Sequence, residues 1–92
     1  MSPAEVRLLR QWREDGDAEA FQRLMSRHSG MVYGTCRRIL GNATAAEDAT
    51  QTCFLKLAEA PTTIKTSLPG WLHTVATRCA LEMLRSEKRR RL

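Results

Sequence analysis

Glu47 and Asp48 are adjacent carboxylates, with Gln51 and Leu55 one and two turns further along. Paired carboxylates can carry general acid/base catalysis, but only in a pocket with a complementary base. No such partner pattern accompanies them. At helical spacing the four residues instead line one polar strip with an apolar edge. That strip suits docking on a basic or amide-rich partner, or is a solvated face in which Glu47 only caps the helix. A second group is the threonine-rich stretch Ala60–Thr66, where Thr62, Thr63 and Thr66 offer hydroxyls beside the cation of Lys65. With Trp71 at its border, such a stretch can hold an unstacked base by hydrogen bonds and packing; Trp71 can equally continue an apolar stripe into a core. The third group is cationic: Arg78, Arg85, Lys88 and Arg89 recur along one side of the last segment and suit phosphate contacts. Cys36, Cys53 and Cys79 are odd in number, widely spaced and form no CxxC pair, which argues against a disulfide framework or a zinc site. They fall at apolar positions and read as buried thiols in a reducing compartment. No phosphate-binding loop, metal motif or nucleophile–base pattern is present, so no cofactor is implied and an enzyme is the least favoured class.

These groups must be positioned by helices. The 92 residues suit one small domain, rich in Ala, Leu, Arg, Glu and Gln, with only three prolines and five glycines. The spacing predicts four helices in an all-α, compact bundle. The first runs over about 3–14, capped by Ser2, with Val6, Leu9 and Trp12 inward. The second runs over about 17–40, capped by Asp17, with an apolar stripe from Phe21 through His28 and Cys36 to Leu40. Gly30 and Gly34 within it point to close packing or a bend. Thr44-Ala-Ala-Glu47 reads as a capping box opening a third helix to about Glu59, with Ala46, Ala49, Cys53, Phe54 and Leu57 inward. Ser67 caps a fourth helix whose apolar stripe runs from Leu68 to Leu84 and which frays beyond Arg85. No apolar run reaches membrane-spanning length and no signal core precedes the first helix, so a cytoplasmic protein without membrane contact is expected.

The net charge of +5 and pI of about 9.7 lean towards a polyanionic partner. The charge is uneven: Arg78–Arg91 carries a net +4, whereas Asn42–Glu59 carries a net −2. One surface is therefore suited to nucleic acid and another to a neutral or basic partner.

In their order, AFQRLMSRHSGMVYGTCRRILG, AEDATQTCFLKLAEA and SLPGWLHTVATRCALEMLRSEKRR closely resemble domain 2 of extracytoplasmic-function (ECF) sigma factors. The resemblance covers about residues 5–91. It implies that the third helix docks on the clamp helices of the RNA polymerase β′ subunit through Asp48 and Gln51, with Glu47, Leu55 and Phe54 nearby or supporting. It implies that the 60–66 loop, with Thr62, Thr63, Lys65 and Thr66, captures a flipped base of the non-template strand of the promoter −10 element. The fourth helix would then touch the −10 region through Thr74, Thr77, Arg78 and Arg85, with Trp71, Lys88 and Arg89 adjoining. Four positions depart from the family pattern: Thr52 for a usual acidic residue, Ala58 for a common tryptophan, Arg78 for a common asparagine, and Glu82 for a common aspartate. ECF sigma factors carry a further helical domain that reads the −35 element, so the chain is expected to be one domain of a longer protein. Two alternatives stay open: a helix-turn-helix regulator of duplex DNA, and a protein-interaction bundle held by an anti-sigma factor.

Overall fold

A computed structural model describes residues 2–59, 64 and 67–91. These form four helices, α1 (Pro3–Asp15), α2 (Ala18–Leu40), α3 (Ala43–Glu59) and α4 (Leu68–Arg91). No strand occurs among the described residues, as the all-α reading requires.

The helix starts are set by short polar side chains that satisfy orphan backbone donors. Ser2 Oγ accepts from the Glu5 amide at 3.3 Å, with Pro3 in the first turn. Asp17 Oδ1 accepts from Glu19 and Ala20 at 3.1 and 3.2 Å. Gly16 and Gly41, at φ +63° and +69°, close α1 and α2 in the left-handed region where a side chain would be strained. The start of α3 differs from the expected capping box. Asn42 is the cap, its Oδ1 accepting from the Ala45 amide at 3.0 Å, and Thr44 already lies inside the helix. Asparagine caps better than threonine, and Asn42 follows directly on the left-handed turn at Gly41. Ser67 caps α4 as expected, accepting from Gly70 at 3.1 Å.

α2 packs against each of the other three helices, and α3 and α4 also pack against one another. The inward residues of α3 are those the periodicity selects: Ala46, Ala49, Cys53, Phe54 and Leu57 are all buried. On α4, Leu68, Leu72, Ala76, Cys79 and Ala80 are buried, while Trp71, Val75, Met83 and Leu84 are half-buried.

Three expectations are corrected. On α1, Val6 is 39% exposed and Glu5 takes the core position four residues before Leu9, because it meets His28 of α2. Gly30 and Gly34 do not mediate close packing: an added methyl meets nothing at Gly30 and only the Arg38 side chain, at an ordinary 3.6 Å, at Gly34. Nor does α4 fray at Arg85; it continues to Arg91. Its last turns border the α2–α3 corner, where Met83, Ser86 and Glu87 face Leu40 and Ala45, and Glu87 pairs with Arg91 at 2.7 Å. Packing and an i, i+4 pair thus hold a segment whose composition alone reads as a tail.

Candidate nucleic-acid and partner interface

α3 turns its acidic strip outward because the opposite face is committed to the core. Asp48, Gln51 and Leu55 share this exposed ridge, and Leu55 is 62% exposed. Glu47 lies at the ridge's edge, also exposed. Phe54, only 5% exposed, cannot offer its ring to a partner; it is the wall behind the ridge. Thr52, on the other flank, donates its hydroxyl to the Asp48 carbonyl at 3.0 Å.

A mostly apolar groove of about 660 Å³ runs beside the ridge, between α3 and α2. Phe54, Leu55 and Ala58 line one side, Phe21 and Met25 the other, and Gln51 sits at its rim. The α2 half of this groove escaped the sequence reading. Its signal was the i, i+4 pair Phe21–Met25 at the edge of the α2 stripe, which tertiary packing leaves half-buried rather than enclosed. α1 braces the same region: the Trp12 indole N–H donates to the Ala58 carbonyl at 3.3 Å, and its ring lies 4.8 Å from that of Phe21.

The cationic stripe lies on α4. Thr74, Arg78, Arg85, Lys88 and Arg89 are exposed, and their spacing keeps them on one side of the helix. Arg78, Arg85 and Arg89 border one shallow cleft with Leu81 and Glu82. None of Arg78, Arg85, Lys88 or Arg89 meets a carboxylate within ion-pair distance among the described residues. Thr77 is half-buried and donates its hydroxyl back to the His73 carbonyl at 2.8 Å, so it is the least available of the group. Trp71 is half-buried and packs on the core, as its place in the apolar stripe suggests. Thr62, Thr63, Lys65 and Thr66 lie outside the described residues; Ile64, between them, packs on the core.

The three cysteines, one each from α2, α3 and α4, are buried and free. Cys53 Sγ lies 3.7 Å from the Leu72 carbonyl and Cys36 Sγ 3.9 Å from that of Ala76. Burial, reinforced by the neighbouring Cys79 and Cys36 thiols, pushes the Cys53 thiol up to about 12, and burial also raises Cys36 and Cys79. Thiols held protonated are poor nucleophiles and poor metal ligands. Among the described residues, no group of three or more His, Cys, Asp or Glu side chains is placed to hold a metal ion, and no helix is long and apolar enough to cross a membrane.

Four helices with an acidic ridge on the third and a cationic stripe on the fourth define a class that sequence comparison makes explicit. The Sigma-70 region 2 family matches residues 24–90. The chain belongs to that family. It is 33% identical over 76 residues to the RNA polymerase sigma factor CarQ of Myxococcus xanthus, covering 80% of this chain and 44% of that protein. It is 29% identical to the ECF RNA polymerase sigma factor SigW of Bacillus subtilis strain 168, over 79% of this chain and 40% of the relative. It is 31% identical to the ECF RNA polymerase sigma factor SigE of Mycolicibacterium smegmatis, over 79% of this chain and 29% of the relative. The chain thus spans less than half the length of these relatives. No solved structure matches it.

Proposed function

We propose that this chain is a sigma factor domain that docks on RNA polymerase core and opens promoter DNA at the −10 element during transcription initiation, in the bacterial cytoplasm. The observation that carries this reading is the pair of exposed strips, one acidic and one cationic, on neighbouring helices. The ridge Asp48–Gln51–Leu55 leaves one face of α3, and the cationic stripe Thr74–Arg78–Arg85–Arg89 leaves one face of α4. Polymerase and DNA can therefore be held at once by neighbouring helices.

On the polymerase side, Asp48 and Gln51 engage a basic and an amide partner on the β′ clamp helices, with Glu47 adding charge. Leu55 supplies the apolar contact, and Phe54 keeps the ridge rigid from behind. On the DNA side, Arg78, Arg85, Lys88 and Arg89 neutralise phosphates near the −10 element, and Thr74 and Thr77 contribute hydroxyls. The 60–66 segment, with Thr62, Thr63, Lys65 and Thr66, captures a base of the non-template strand beside Trp71. Extruding a base costs a few kcal/mol, which these contacts offset. No nucleotide hydrolysis takes part. A helix-turn-helix reading is disfavoured because residues 60–67 separate α3 from α4, about twice the usual turn between such helices.

The test measures both partners on one set of variants. Asp48→Ala should weaken binding to an immobilised β′ clamp-helix fragment about tenfold, near 1.4 kcal/mol, at unchanged helicity. Arg78→Gln with Arg85→Gln should leave that binding intact but lower affinity for a single-stranded −10-like oligonucleotide. Unchanged clamp affinity in Asp48→Ala sinks the docking assignment. Equal binding of −10-like and scrambled strands by the parent chain sinks base capture.

A further inference from the structure

On the far side of Gln22 and Ser26 from the α3 groove, α1 and α2 border an open trough of about 710 Å³, lined by Arg7 and Gln11 on one wall and by Arg23, Ser26 and Arg27 on the other. Among the described residues its only acid is Glu19, which already holds Arg23 at 3.3 Å. Arg7 and Arg27 meet no carboxylate within ion-pair distance among the described residues. Arg23 and Arg27 stand one helical turn apart, an arrangement of like charges that costs an isolated helix a few tenths of a kcal/mol. The buried Glu5–His28 pair and the Trp12–Phe21 ring contact, which join α1 to α2, lie elsewhere. An anion in the trough would relieve the repulsion.

The chemistry of the walls selects the anion. Guanidinium, amide and hydroxyl groups match phosphate oxygens, with arginine able to grip two at once. No aromatic side chain among the described residues lines the trough, so these walls offer no platform for base stacking and read no sequence. Two of the three arginines, Arg7 and Arg23, precede residue 24, where the family match begins. We propose that the α1–α2 trough is a second, sequence-neutral cradle for the phosphate backbone of the DNA that α4 engages. The inference rests on the DNA-binding reading above. An acidic protein segment would meet the same guanidinium groups, but the net charge of +5 and the second cationic surface on α4 favour DNA.

Salt dependence tests it on the intact chain, with fluorescent oligo(dT) as the sequence-neutral probe. Each phosphate contact on a single strand contributes about 0.7 to the slope of log affinity against log salt. Arg7→Gln with Arg27→Gln should therefore flatten the slope by about 1.4, without changing any preference for −10-like over scrambled strands. Glu19→Gln frees Arg23 and should steepen the slope by about 0.7, a gain that misfolding cannot imitate. If the slope is unchanged in the Arg7/Arg27 variant but flattened in Arg78→Gln with Arg85→Gln, the trough proposal fails while DNA binding by α4 stands. Salt-independent oligo(dT) binding by the parent chain overturns both. If the Arg7/Arg27 variant loses only affinity for poly-glutamate, the trough belongs to an acidic protein and the DNA assignment is overturned.

Discussion

Glu5 and His28 meet at 2.7 Å, both with less than 10% of their surface exposed. The pair substitutes for an apolar contact between α1 and α2. Removing one partner strands the other in the core, at a cost well above that of an exposed pair. Glu5→Ala is expected to lower the unfolding free energy by about 3 kcal/mol in urea titration, whereas Glu5→Leu with His28→Leu recovers most of that loss. A loss under 1 kcal/mol in the single variant would show the pair to be solvated. Residue types alone conceal such a partnership: Glu5 reads as a surface charge and His28 as a member of an apolar stripe. The contrast between Phe54 and Leu55, 5% and 62% exposed, carries a related lesson. Adjacent apolar residues on one helix play opposite parts, and only Leu55 has area to give a partner.

At the scale of the element, local chemistry decided most boundaries. Ser2, Asp17 and Ser67 cap their helices as their types suggest, and Gly16 and Gly41 end two of them. α3 is the instructive exception. Two cap-forming residues, Asn42 and Thr44, compete two positions apart, and the left-handed turn at Gly41 delivers the chain to Asn42. Asn42→Ala is therefore expected to cost about 1 kcal/mol of stability, and Thr44→Ala to stay within about 0.5 kcal/mol. Chemical denaturation of the two variants separates the cases, and the reverse order would restore the capping box. α4 shows the other limit of local reading. Its basic end has the composition of a solvated tail, yet Met83 packs on the core, Ser86 and Glu87 border a cleft at the α2–α3 corner, and the helix runs to Arg91. The cationic stripe is thereby carried on a rigid element rather than on a loose end.

On the whole-molecule scale, α2, α3 and α4 each send one cysteine to a shared interior. Because burial raises Cys53 to about 12 from an ordinary value near 9, the folded chain holds this proton more tightly than the unfolded chain. Its contribution to stability is therefore complete below pH 9 and is lost as pH rises towards 12. Unfolding free energy should decline across that window, and Cys53→Ala should decline less steeply even though its absolute stability is lower. Parallel slopes in the two proteins would mean that Cys53 ionises freely in the folded state. The same convergence explains the surface: with three helices sharing one core, the acidic ridge is carried by the outward face of α3 and the cationic stripe by that of α4.

The sequence by itself determined that the chain is helical, where most helices start, and which faces of α3 and α4 turn inward. Those features follow from side-chain period and capping chemistry, both local. Tertiary structure alone decided the Glu5–His28 pair, the burial of Phe54 behind the exposed Leu55, the apolar groove that Phe21 and Met25 share with α3, and the arginine trough. Each joins residues from different helices, and no periodicity along one helix states which face of another it will meet.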